Sequence, residues 1–174
     1  MTNHHHHDHE HEPGRIPEPA AALGYLGALP FVVCATAIWL GAAEIREPIV
    51  TLIAALGAVL LAFMGGVRWG LAMGDEGGPG FLALGISVTP AIISGVALLL
   101  IILGPGAITT TAAALGLLVV SLLALLWSDL AATCAGDAPE WYPGLRIPLT
   151  ALVVVSLIAS LARIVLDVMD KEPL

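Results

Sequence analysis

Residues 48–73 read PIVTLIAALGAVLLAFMGGVRWGLAM, and this run decides the fold. It stays apolar for longer than the roughly 20 residues a helix needs to cross a bilayer. Along it and just beyond, Ala54, Ala58, Ala62, Gly66, Gly70 and Gly74 recur at every fourth position. On a helix that spacing makes a seam of small side chains, along which a second helix backbone comes close; helices pack this way in lipid. The run is therefore expected to be a membrane helix with its seam turned toward a neighbour. Arg68 interrupts it. Two residues past Gly66, it points about 200° away from that part of the seam. A guanidinium at such depth needs an acidic partner, water or a lipid headgroup.

Four further runs repeat the pattern, so helices are expected over about 20–43, 48–73, 81–103, 107–130 and 145–168. Residues 1–19 read as a His-rich acidic tail and 169–174 as a short C-terminal one. Between the runs lie a charged loop at Glu44–Glu47, with Pro48 opening the next helix, and a Gly/Pro-rich loop at 74–80. A Gly104-Pro105-Gly106 turn and a polar loop at 131–144 complete the connections. Pro30, Pro90 and Pro148 fall inside predicted helices, where each frees a carbonyl. The fold class is all-α, an integral membrane bundle of five transmembrane helices.

Composition agrees. Of 174 residues, 58% are hydrophobic and 11% charged, against about 25% charged in a soluble domain; mean hydropathy is +0.95. Five spans leave no room for a soluble catalytic domain. Six basic residues and a net charge of −8 exclude nucleic acid as a partner. Cys34, inside a span, and Cys134, in a loop, make no disulfide framework. The N-terminus lacks the basic-then-apolar order of a cleavable signal.

Five crossings place the ends of helices 2 and 4 and the starts of helices 3 and 5 on the membrane face where the chain begins. Arg68, Trp69, Asp75, Glu76, Trp127, Asp129, Trp141, Tyr142 and Arg146 should therefore gather there, as a polar crater ringed by aromatic residues. Arg68 and Asp129 are the sharpest pair, each offsetting the other's burial cost, with Arg146 as a third member. Such a pair reads most simply as a structural link that fixes helix register. Its functional reading is a site for an anion, a lipid headgroup or a quinone carbonyl. On helix 5, Ser156, Ser160, Arg163 and Asp167 share one face. Arg163 is expected to pair with Asp167, or with Glu44 or Glu47, and the stripe reads as an interface in preference to a proton relay. Arg15, Arg68 and Arg146 fall on one side and Arg46, Arg163 and Lys171 on the other, so positive charge gives no orientation.

The tail carries His4, His5, His6, His7, His9 and His11 among acids. Neutral imidazole is a good ligand for Zn, Ni or Cu, although no closed four-ligand spacing is present. No histidine lies within the spans, which removes the usual axial ligand for haem. Neither a phosphate-binding loop nor a dinucleotide fingerprint occurs.

Several segments together carry a resemblance. These are residues 24–31 (GYLGALPF), 63–70 (FMGGVRWG), 87–90 (SVTP), Asp129 and 139–146 (PEWYPGLR), in this order. The chain resembles a proteobacterial family of five-helix membrane proteins of unknown function that includes mitochondrial transmembrane protein sixty-nine. The resemblance covers about Leu23 to Val165 and leaves out the tail. It implies a bacterial inner-membrane location and supplies no activity. It also implies a histidine before the tryptophan in many relatives, where this chain has Arg68.

Three functions are open to such a chain. The leading one is a non-catalytic accessory or structural subunit of a larger inner-membrane complex, respiratory or photosynthetic, with lipids and other membrane subunits as partners. The second is a metal-handling or small-solute transport protein that captures Zn, Ni or Cu with its tail. The third is a protein that binds a lipid or quinone at Arg68 and Asp129.

Overall fold

The computed structural model describes residues 15–74, 78, 80–136 and 138–171. Five helices account for nearly all of them: α1 (Glu18–Leu40), α2 (Ala43–Met73), α3 (Phe81–Leu103), α4 (Ile108–Ala135) and α5 (Tyr142–Lys171). Each is long and apolar enough to cross a membrane. The protein is a multi-pass, all-α membrane bundle.

The helix ends obey local rules. Pro17 caps α1, and Glu18 sits in its first turn, where the helix dipole favours an acid. Gly136, at φ 87°, closes α4 in the left-handed conformation. In the α3–α4 turn Gly106 takes φ 71°, and Thr110 Oγ1 donates to Gly104 O at 2.9 Å.

Two expected boundaries are corrected. Residues 44–47 form no loop: α2 begins at Ala43, so Pro48 lies inside the helix instead of opening it. Ile45 and the stem of Arg46 continue the helix before the proline, which, as the sixth residue of α2, leaves Glu44 O without its i+4 donor in the second turn. At the other connection, α4 continues past Leu130 to Ala135, and α5 begins at Tyr142, so Tyr142 and Pro143 are helical.

The helices form a ring in chain order, with α5 closing back on α1, and α2 touches all four others. The core is layered from Ile38, Ile53, Leu61, Leu115, Leu118, Leu122 and Leu157, all fully buried. Outward faces are apolar as well, with Phe63, Ile92, Val120 and Val155 exposed; this is the surface a bundle presents to lipid. Several serine hydroxyls enter the core by bonding their own helix, whereas buried Thr150 Oγ1 on α5 has no partner among the described residues. Ser94 donates to Pro90 O at 2.8 Å, Ser156 to Leu152 O at 2.8 Å, and Ser160 to Ser156 O at 2.7 Å. The Ser156–Ser160 stripe is thus satisfied within α5, with no hydroxyl bonded onward to Arg163.

The small-residue seam needs correction too. Ala54 and Ala58 are buried and Ala62 is half-buried, but Gly66, Gly70 and Gly74 are exposed. The cause is helical geometry. Four residues turn about 400°, so a strict fourfold spacing drifts about 40° per step and about 200° from Ala54 to Gly74. The buried face follows Val50, Ile53, Ala54, Gly57, Ala58, Leu61 and Gly65 instead. At Gly65 a Cβ would lie 2.6 Å from Ser87 O and 3.2 Å from Pro90 Cβ. This glycine lets the α3 backbone seat against α2. The same arithmetic returns Arg68, seven residues past Leu61, to within about 20° of the buried face.

Candidate functional site

Because consecutive helices run antiparallel, Arg68 near the end of α2, Asp129 near the end of α4 and Arg146 near the start of α5 meet at the end of the bundle where α1 begins. Asp129 is the hub, with its side chain 6% exposed. Arg68 Nη1 donates to its Oδ1 at 3.0 Å, and Arg146 Nε donates to Oδ2 at 2.8 Å. Tyr142 OH reaches the same Oδ2 at 3.5 Å, the outer limit of a hydrogen bond. Trp141 packs edge-on against Tyr142, ring centroids 6.1 Å apart. One carboxylate thereby ties α2, α4 and α5 together.

The other sequence candidates fall outside this hub. Trp69 and Trp127 are exposed, as aromatic residues are at a membrane interface. Asp75, Glu76 and the tail histidines His4, His5, His6, His7, His9 and His11 lie outside the described residues. Among the described residues no three His, Cys, Asp or Glu side chains come together to hold a metal. Cys34 is buried and Cys134 exposed, and the two are unpaired.

Beside the hub, a cleft of about 340 Å³ opens between α2, α3 and α4. Arg68 and Asp129 form its polar wall, and Leu71, Leu82 and Ile86 its apolar one. Arg68 spends one N–H on Asp129, and the side chain remains 22% exposed. Arg146 is more deeply buried, 9% exposed, and its Nη2 has no partner among the described residues.

A second ion cluster occupies the opposite end, and Arg46 is the member the sequence reading missed. Arg46 Nη1 donates to both oxygens of Asp167 at 2.9 Å, while Arg163, one turn earlier on α5, pairs with Asp167 Oδ1. Arg163 also lies 5.8 Å from the centroid of the Trp39 ring, a cation–π distance, and Trp39 Nε1 donates to Ala159 O at 3.0 Å. The expected pairing of Arg163 with Asp167 is present, the alternative with Glu44 or Glu47 is absent among the described residues, and Arg46 makes the α2–α5 link. Arg46 and Glu47 are neighbours on a helix, so they point about 100° apart, and the arginine is the one turned to α5. A usable signal was present. The 22 residues from Arg46 to Arg68 rise about 33 Å, close to one hydrocarbon thickness, so one helix carries an arginine at each interface.

Comparison with known proteins agrees with this architecture. A family described as "Protein of unknown function (DUF3429)" matches residues 16–162. The chain is 34% identical over 147 residues to Transmembrane protein 69 of Xenopus tropicalis, an alignment covering 83% of this chain. It spans only 54% of that relative, about half its length. No solved structure matches. All five helices fall wholly or largely within the matched residues, and the chain belongs to this family of membrane proteins of unknown function.

Proposed function

We propose that the protein is a non-catalytic subunit that packs against other membrane proteins in a larger inner-membrane assembly, and that the outer face of late α2 is where a neighbour docks. The observation that carries this reading is the outward half of the small-residue seam. Around Gly66 and Gly70, among the described residues and apart from the neighbouring residues and nearby backbone of α2 itself, nothing lies within 4 Å of where a Cβ would stand. Exposed Phe63 and Trp69 flank the two glycines. In lipid, apolar side chains alone give helices little reason to associate, whereas a small-residue face permits the close backbone contact that does. A bacterial inner membrane is the proposed location. A respiratory or photosynthetic complex is the proposed host, by analogy with small subunits of such assemblies.

The test is native mass after extraction from the source membrane in mild detergent, for the wild type and Gly70→Leu. The wild type is expected to co-isolate with a partner, and the variant to run alone with an unchanged melting temperature. A wild-type chain that is a solitary monomer in detergent and in lipid discs overturns the reading.

A second reading is favoured by the cleft beside Arg68, whose spare N–H groups and apolar walls suit an anionic headgroup or a quinone carbonyl. Arg68→Ala is then expected to remove a lipid or quinone that co-purifies with the wild type. Retention of that molecule in a folded variant rejects it.

A further inference from the structure

A cavity lies at the opposite end from the Asp129 hub, among the start of α2, the end of α3, the start of α4 and the end of α5. It measures about 510 Å³. Its depth in the bilayer follows from Arg46, which lines it and stands about 33 Å along α2 from Arg68. The cavity therefore sits at headgroup level of one leaflet.

Charge decides what fits. On one wall Arg46 holds Asp167 through Nη1 alone. Its Nη2 reaches Gly41 O only at 3.4 Å and is the group with hydrogens to spare; its Nε, with no partner among the described residues, is sealed from solvent. On another wall Glu47 stands against the α3–α4 turn. A Cβ on Gly106 would come within 3.2 Å of Glu47 Oε1, and Gly106 already holds φ 71°, so the turn and the carboxylate abut. Among the described residues Glu47 joins none of the ion pairs. The lining thus offers an under-used cation and a carboxylate that is in no ion pair among the described residues, with apolar side chains such as Ile101 and Ile164 beside them. A simple anion would meet Glu47 and Asp167; a simple cation would meet Arg46. A zwitterion meets neither conflict.

We propose that this cavity binds an aminophospholipid headgroup, with its phosphate on Arg46, its primary ammonium on Glu47 and its acyl stem along the apolar wall. The ammonium must carry N–H groups, because a carboxylate accepts hydrogen bonds and a quaternary nitrogen has none to give. Thr51 and Thr111 add hydroxyls to the lining, suited to phosphate oxygens.

The full chain, delipidated in mild detergent, is titrated with phosphatidylethanolamine, phosphatidylcholine and phosphatidylglycerol of identical acyl chains, and bound lipid is counted by native mass spectrometry. Phosphatidylethanolamine is expected to bind about fivefold more tightly than either of the others, the ratio one partly exposed ion pair supplies. Glu47→Gln should erase that preference without weakening phosphatidylglycerol. Ile101→Trp, which fills the cavity, should lower phosphatidylethanolamine binding to the level of the general lipid belt. Equal binding of the three lipids by the wild type, a preference for phosphatidylglycerol, or an unchanged preference in Glu47→Gln overturns the proposal.

Discussion

The two ends of the bundle use the same parts and end up unlike each other. Each has one aspartate held by two arginines, and each takes one of those arginines from α2. At the end where α1 begins, the partners come from α2 and α5 onto α4, and the carboxylate is 6% exposed. At the far end, one arginine comes from α2 and the other from the aspartate's own helix, and the carboxylate is 24% exposed. The first arrangement crosslinks three helices. The second crosslinks two and leaves α3 and α4 untied, and there the larger cavity opens. What separates the locked end from the open one is how many helices share the aspartate, since each aspartate is held by two arginines.

The comparison breaks most easily at the aspartates. Asp129→Asn leaves the buried Arg146 guanidinium, 9% exposed, without its counter-charge and unties Arg68, and is expected to cost about 3 kcal/mol, read as a drop in denaturant or thermal midpoint in detergent. Asp167→Asn exposes its arginines to water already within reach, and about 1 kcal/mol is expected. Equal losses would mean that the two ends do the same job.

Much of the first end was legible in the sequence. Arg68, Asp129 and Arg146 are isolated charges in apolar surroundings, and the alternation of five crossings brings them to one face. The far end was hidden because Arg46 stands among Glu44 and Glu47, where a charge looks like solvated loop. Only its distance from Arg68, one membrane thickness, marks it as an interface residue. The seam was half legible for a different reason. Recurrence at every fourth residue matches a helical face over two or three turns and then winds off it. Ala54 and Ala58 therefore face the core, while Gly70 and Gly74 face outward. Gly65, the close-contact position, falls outside the repeat altogether.

Adjacent glycines sharpen this point, because Gly65 closes the α2–α3 side of the locked end. Gly65→Ala drives a methyl toward Ser87 O, a backbone atom on α3 that has little room to retreat, and is expected to destabilise by about 1–3 kcal/mol. Gly66→Ala adds a methyl to open space and gains helix propensity, so stability should hold or rise by up to about 1 kcal/mol. Midpoints of the two variants should move in opposite directions. Matching losses would show that α2 is rotated from the orientation described.

The smallest effect on stability, and the strictest check on the geometry, comes from the cysteines. Cys134 is exposed at the locked end, and Cys34 is buried, so a membrane-impermeant maleimide should modify the native chain once. In sealed vesicles that reaction should proceed from one side only. Ala43 is exposed at the opposite end of α2, and Ala43→Cys in a Cys134→Ser background should react only from the other side. Neither change disturbs packing, so both variants should melt with the wild type. If positions 43 and 134 label from the same side, α2 and α4 do not cross the bilayer as paired spans. The two clusters would then share one membrane face, and the distinction between a locked end and an open end would have no physical basis.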